Sequence, residues 1–196
     1  MSQHKIDVLK IARKLDNDSV HNTDAHFLID EVIEGAPLVI CFSFFVSEGT
    51  PQFDFYERMK RLQQLSGIRV NLVLVRDIQQ LWYQRGVPGL GTNIMEMTGS
   101  LLDIISQIKP SYVMTIGQSM GGYAALNFGA FLDVQKIISF GPLSLLDLPN
   151  AHKSIDKRWA ESMQNLADDP PKYFINDLVE VLKIPAKLPE TRSEEH

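Results

Sequence analysis

A serine flanked by glycines, within the segment GQSMG at residues 117–121, is the feature of this 196-residue sequence with the clearest potential for chemistry. Because the pattern Gly-x-Ser-x-Gly is short enough to occur by chance, its context decides what it means. An apolar run at residues 112–116 predicts a strand before it, and a segment rich in small residues at 120–132 predicts a helix after it. A strand that turns directly into a helix at Ser119 predicts a nucleophile elbow, in which a strained turn exposes the hydroxyl.

Such an elbow needs two backbone amides to hold the negative charge that develops on the substrate oxygen. The first belongs to the residue after the serine, Met120, at the start of the predicted helix, where the helix dipole also favours negative charge. The second is expected in the turn after the first central strand. We predict the amide of Phe44 for this role, with Ser43 as the alternative.

A glycine-rich turn after a parallel strand can also hold phosphate groups, as in nucleotide-binding proteins. The sequence lacks the Gly-x-Gly-x-x-Gly spacing of a dinucleotide site and the Lys-Ser/Thr pair of a P-loop. The serine interpretation is therefore favoured, and no metal or cofactor is expected. The single cysteine, Cys41, lies in an apolar run and is predicted to be a buried, inert thiol.

The elements that must position the serine alternate, from residue 36 onward, between short apolar runs and longer segments with helical periodicity. We predict strands at 38–44, 70–75, 112–116 and 136–140, a weaker edge strand at 27–33, and helices at 51–66, 94–109, 120–132, 155–166 and 173–182. This alternation predicts an α/β fold, with a mostly parallel sheet and helices on both faces, in one domain over residues 1–196. The sheet is expected to end at residue 140, and the polar tail at 188–196 to be unpacked.

Three residues after the second predicted central strand are candidates for the substrate pocket. Asp77 lies at the carboxyl end of that strand, the edge where α/β sheets place their binding sites. It could contact substrate or cap the turn that follows. Trp82 and Tyr83 could line an acyl or sugar pocket, or they could pack in the core.

The sequence resembles a family of bacterial α/β-hydrolases that are often associated with polysaccharide and glycosyltransferase systems. The residues that carry the resemblance are, in order, Arg76-Asp77, Trp82-Tyr83, Gly86, 117–126, Phe128-Gly129, 139–142 and 156–159. The resemblance as a whole covers roughly residues 38–159, most of the chain. The resemblance implies hydrolysis of an ester by Ser119, with a small molecule or carbohydrate ester as substrate. An acyltransferase shares the same elbow, and a non-catalytic binding module is a further alternative.

A serine hydroxyl needs a base, and in this fold the acid and the histidine follow the serine along the chain. After residue 140 only His152 and His196 remain, and no pattern of further strands is visible. Family members continue to an Asp and a Gly-His-Asp-like segment that cannot be aligned here. We therefore expect a fragment of a longer hydrolase. A naturally short, non-catalytic form and a compact site built from Asp147 and His152 are the alternatives.

Composition and charge limit the partners of the protein. With 44% hydrophobic and 22% charged residues, the sequence has the composition of an ordinary globular protein. Its net charge of -5 indicates no basic surface for nucleic acid or anionic lipid. Charged residues interrupt the N-terminal segment, unlike a signal peptide, and the strongest apolar run, at 36–46, is shorter than the roughly 20 residues that cross a bilayer. We expect a cytoplasmic protein that binds neither nucleic acid nor membranes.

Overall fold

The computed structural model describes residues 6–146, 159–183 and 190–194, the last of these by their backbone alone. Within these ranges the chain forms six strands and seven helices. The strands are β1 (Phe27–Ile29), β2 (Leu38–Phe42), β3 (Asn71–Val75), β4 (Val113–Gln118), β5 (Lys136–Phe140) and β6 (Glu190–Glu194). The helices are α1 (Val8–Ile11), α2 (Asn17–His21), α3 (Tyr56–Ser66), α4 (Ile94–Ile108), α5 (Met120–Phe131), α6 (Ala160–Asp168) and α7 (Leu178–Leu182).

The six strands form one sheet in the order β1-β3-β2-β4-β5-β6. Only β1 runs antiparallel to its neighbour, so the predicted mostly parallel sheet is confirmed. At the carboxyl end of β2, Phe42 pairs with Val75 of β3 on one side and with Gly117 of β4 on the other. The loops that follow these three strands therefore begin side by side at one edge of the sheet, where α/β folds place their sites.

Helices cover both faces of the sheet, as predicted. Side chains along β2 alternate between two apolar clusters: Ile40 and Phe42 pack in the cluster that contains α4 and α5, and Cys41 packs in the one that contains α3. Every residue of β2 and β3 is buried, because a strand with both faces covered leaves no side chain in solvent. Cys41 is a buried free thiol, as predicted.

The prediction that no strand follows residue 140, and that the tail at 188–196 is unpacked, was wrong for β6. Residues Glu190–Glu194 pair in parallel with β5 and extend the sheet by one strand. Their sequence, ETRSE, has no apolar periodicity that could indicate a strand. Strand pairing uses backbone amides and carbonyls, which every residue but proline supplies, so hydropathy carried no signal here.

Several element boundaries also differ from the predicted ones. The strand predicted at 38–44 ends at Phe42, and the edge strand predicted at 27–33 ends at Ile29. The helix expected from residue 51 begins only at Tyr56, after Phe55 adopts a left-handed conformation with φ 67°. The remaining central strands lie close to their predicted ranges, and the strand at 136–140 matches its prediction.

Capping side chains mark where helices α4 and α7 begin. Asn93 accepts a hydrogen bond from the amide of Glu96 at 3.0 Å and begins α4, as predicted. The helix expected from residue 173 begins at Leu178, because Asp177 caps it by accepting the amide of Val179 at 2.8 Å. The start of the helix predicted at 155–166 lies outside the described residues, and α6 begins at 160. None of the described helices is both long and apolar enough to cross a bilayer.

Candidate active site

Ser119 occupies the sharp turn between β4 and α5. Its backbone has φ 52° and ψ -118°, a conformation that costs a residue with a side chain about 1 to 3 kcal/mol. The amide of Ser119 donates to the carbonyl of Phe140 at 2.8 Å, and its carbonyl accepts the amide of Tyr123 at 2.9 Å. The residue is half-buried, and its neighbour Gln118 is exposed. Strand β5 and helix α5 therefore hold the serine in a strained turn at the open edge of the sheet.

The glycines around Ser119 are required by close backbone contacts. A Cβ atom on Gly117 would lie 1.9 Å from the carbonyl oxygen of Gly121, in the first turn of α5. A Cβ atom on Gly121 would lie 2.3 Å from the carbonyl oxygen of Phe42 and 2.9 Å from that of Ser43. The start of α5 thus packs directly against the end of β2, which a side chain at either position would prevent.

The same packing brings the start of α5 beside the backbone that precedes Phe44. Met120 is the first residue of α5, so its amide has no acceptor within the helix and can point at an anion. The amide of Ser43, the alternative second donor, donates to the carbonyl of Val75 at 3.0 Å and belongs to the sheet. The amide of Phe44 donates instead to the carboxylate of Asp54, at 2.8 Å.

Asp54 lies at the candidate site, and sequence reasoning did not identify it. It lies ten positions after Phe44, beyond a loop, and no spacing rule connects the two residues. Burial raises the pKa of the Asp54 carboxyl to about 6, while the hydrogen bond from Phe44 and the charge of Arg58 act in the opposite direction. The amide of Asp54 lies 3.4 Å from the hydroxyl oxygen of Ser43, which itself donates to the carbonyl of Gln52 at 2.5 Å.

The raised pKa of Asp54 predicts how stability depends on pH. Between pH 4 and pH 6 the folded chain holds a proton on Asp54 that the unfolded chain has released, so this residue's contribution to the free energy of unfolding falls as pH rises. Asp54→Asn removes that titration. The free energy of unfolding of Asp54→Asn minus that of wild type is expected to increase by on the order of 1 kcal/mol from pH 4 to pH 7. This value is reduced to allow for solvent screening. Urea unfolding of both proteins at pH 4 and at pH 7 measures this change. The same stability difference between the variant and wild type at both pH values would contradict the prediction.

Asp77 is buried beneath the loop that follows β3. Its carboxylate accepts the amides of Gln79 at 3.0 Å, Leu81 at 2.8 Å and Tyr83 at 2.9 Å. Burial raises the pKa of the Asp77 carboxyl, and these hydrogen bonds oppose that rise. The structure therefore places Asp77 where it organises the turn, which is the capping alternative that the sequence left open.

Trp82 and Tyr83 are fully buried beside the second predicted oxyanion amide. The hydroxyl of Tyr83 donates to the carbonyl of Ser43 at 2.9 Å, which fixes the end of β2. The ring of Trp82 packs against Phe45 and Trp159, with centroid distances of 6.0 and 5.8 Å. Its buried indole N–H has no hydrogen-bond partner among the described residues. An aromatic cluster of Phe45, Trp82 and Trp159 thus adjoins the turn that carries Phe44.

Removing the Asp77 carboxylate is expected to destabilise the fold strongly. Asp77→Ala would leave the amides of Leu81 and Tyr83 buried without an acceptor, at about 1 to 3 kcal/mol for each. We expect a total loss of about 3 to 5 kcal/mol in the free energy of unfolding, measured by urea denaturation. Asp16→Ala removes an exposed cap on α2 and is the control, with a much smaller expected loss than Asp77→Ala. Similar losses in both variants would contradict this role of Asp77.

The described residues do not supply a base for Ser119. Within that part of the chain its hydroxyl has no hydrogen-bond partner. His21 contacts Glu57 at 3.4 Å, and His26 contributes its carbonyl to the amide of Arg76. The later candidates, Asp147, His152 and His196, lie outside the described residues. In the described ranges, no group of three or more His, Cys, Asp or Glu side chains could hold a metal ion.

Comparison with known proteins finds similarity in structure. No protein-family model matches the sequence, and no curated protein matches it significantly. Among solved structures, the capsule O-acetyltransferase of Neisseria meningitidis serogroup A superposes with a TM-score of 0.56 at 20% identity, covering 83% of this chain and 66% of that chain.

Two Staphylococcus aureus enzymes superpose to a comparable extent. The S-formylglutathione hydrolase FrmB has a TM-score of 0.51 at 14% identity. The superposition covers 82% of this chain and 65% of that chain. The fluorophosphonate-binding serine hydrolase FphF has a TM-score of 0.52 at 14% identity, covering 84% of this chain and 66% of that chain. This chain thus spans about two thirds of the length of each neighbour. The parallel sheet, its helices and these superpositions together show that the chain has the α/β-hydrolase fold.

Proposed function

We propose that the protein is a serine esterase that forms an acyl-enzyme on Ser119 and acts on a small ester, including acylated carbohydrates. The observation that carries this proposal is the strained turn at Ser119, with φ 52° and ψ -118°. Met120 follows it as the first residue of α5, so its amide has no acceptor within the helix. Strain of this size persists only where the surrounding structure enforces it, and such residues cluster at functional sites. The hydroxyl of Ser119 makes no competing hydrogen bond with the described residues.

The proposed reaction has two steps. Ser119 Oγ attacks the ester carbonyl carbon as a base takes the hydroxyl proton, and the carbonyl oxygen becomes an oxyanion held by the amides of Met120 and Phe44. The alcohol leaves with the proton, and an acyl group remains on the serine. Water then attacks this acyl group under the same base and releases a carboxylic acid. We assign the base to a histidine outside the described residues, and His152 is the first candidate.

The proposal is tested by covalent labelling with a fluorophosphonate, which reacts with an activated serine hydroxyl. Intact-mass spectrometry should show one added label on the wild-type chain, or on a longer natural form of the protein, and none on Ser119→Ala. Labelling of this chain that is lost in His152→Ala would identify the base. Absence of labelling in every natural form would overturn the proposal and favour a non-catalytic binding module.

Transfer of the acyl group to a carbohydrate hydroxyl is the second candidate. It is supported by structural similarity to a capsule O-acetyltransferase, a neighbour whose structure has also been determined with bound CoA. The two reactions share the acyl-enzyme and differ in whether water or a sugar hydroxyl attacks it. Product analysis with an acetyl ester or acetyl-CoA, with and without an oligosaccharide acceptor, separates them. Free acetate alone indicates a hydrolase, and an acetylated sugar indicates a transferase.

A further inference from the structure

The amide assigned to the second oxyanion donor is already bound to an acceptor of this chain. The Phe44 N–H donates to a carboxylate oxygen of Asp54 at 2.8 Å. A carboxylate oxygen bears partial negative charge and accepts amide hydrogens, as a substrate oxyanion would. Since one N–H makes one strong hydrogen bond, Asp54 and an oxyanion cannot both occupy this donor at full strength.

We propose that Asp54 occupies the oxyanion donor of Phe44 in the resting protein and must leave it before a tetrahedral intermediate can bind. The inference rests on the proposed esterase function, because the oxyanion arises only in that reaction. It assigns to Asp54 a role in controlling the donor that the elbow motif alone does not indicate.

The surroundings of Asp54 allow such an exchange. Asp54 is half-buried, and the amide of Asp54 makes only a long contact, 3.4 Å, to the hydroxyl of Ser43. The next residue, Phe55, is in the left-handed region at φ 67° and begins α3 without a side-chain cap. The carboxylate has no ion-pair partner within 4.0 Å among the described residues, although Arg58 lies near enough to lower its pKa. A small rotation of this loop would therefore release Phe44 without breaking a salt bridge.

An ionised Asp54 would also repel a neighbouring oxyanion. The pKa of about 6 means that the carboxyl is charged above that pH, so at pH 8 the donor is held by a full negative charge. Like charges this close disfavour each other strongly where solvent is partly excluded. Occupation of the Phe44 amide and electrostatic repulsion therefore both weaken the binding of an oxyanion. Both effects are lost when the Asp54 side chain is removed.

The proposal is tested by titrating the ¹⁵N-labelled protein with acetate at pH 8 and following the amide signals of Phe44 and Met120. In Asp54→Ala both signals should shift saturably with one dissociation constant. In wild type the dissociation constant should be about tenfold larger or more, the ratio expected when a charge-assisted hydrogen bond must first be broken. Asp54→Asn, which keeps the shape of the side chain and loses its charge, should bind acetate more tightly than wild type. Asp54→Asn also provides the comparison with wild type if Asp54→Ala does not fold.

Glu57→Gln is the matched control, because it removes one negative charge from the exposed side of α3 without touching Phe44. It should behave as wild type. Equal acetate binding by wild type and both Asp54 variants would overturn the proposal, as would a shift of Phe44 without Met120, since the two amides would then not form one site. The titration needs no nucleophile and no covalent step. Labelling experiments can therefore fail independently of this one.

Discussion

Covalent labelling by a fluorophosphonate is expected to disappear completely when Ser119 is replaced by either alanine or glycine, while the two variants differ in stability. Both lack the hydroxyl that forms the bond to phosphorus, so no labelled protein should be detected by intact-mass spectrometry. Their backbones differ, because glycine accepts φ 52° and ψ -118° without strain and alanine keeps the Cβ atom. We expect Ser119→Gly to exceed Ser119→Ala by about 1 kcal/mol in the free energy of unfolding.

This comparison separates the chemistry of the serine from the geometry of its turn. Urea denaturation of the two variants under the same conditions gives the difference directly. An alanine variant as stable as the glycine variant would show that the turn stores no strain. Labelling that persists in either variant would place the reactive serine elsewhere in the chain. Backbone strain at Ser119 is expected because a nucleophile elbow exposes its hydroxyl at the expense of stability.

Replacing Gly117 by alanine is expected to lower the free energy of unfolding by at least about 4 kcal/mol, a large share of the stability of a typical domain. The new Cβ atom would lie 1.9 Å from the carbonyl oxygen of Gly121 and 2.2 Å from its carbonyl carbon. Both are backbone atoms of α5, so relief requires the helix to move away from β2 and β4. Thermal unfolding followed by circular dichroism measures the loss.

Gly67→Ala is the control for this variant. Gly67 has φ 71° and ends α3, but a Cβ atom there would meet no described atom within 4 Å. Alanine at Gly67 should therefore cost only about 1 kcal/mol, the cost of a left-handed conformation for a residue with a side chain. If Gly117→Ala were as mild as Gly67→Ala, the close packing of α5 on the sheet would be wrong. The contrast tests whether the elbow glycine is required by contact or by conformation.

Local signals in the sequence predicted the central part of the fold. The continuous apolar run of β2 and the amphipathic stripe of α4 depend on periodicity, which a single sequence displays directly. The cap at Asn93 was recognised because its partner amide lies only three residues away. Signals of this kind fail for β6, whose pairing depends on the backbone of β5 and leaves no trace in the hydropathy of ETRSE.

The candidate site, like the fold, has one part that the sequence predicts and another that only the tertiary structure shows. The types and spacing of residues 117–121 determined by themselves that a serine would stand between a strand and a helix, since a glycine pattern and two flanking periodicities are local properties. Only the tertiary structure decided that Asp77 binds the amides of its own turn and that the Phe44 amide meets Asp54, ten residues away. Those contacts depend on how loops return to the edge of the sheet, and many different sequences can close a loop of that length. Chemistry at Ser119 is therefore predicted from sequence, whereas the hydrogen bond between Asp54 and the amide of Phe44 follows from the fold.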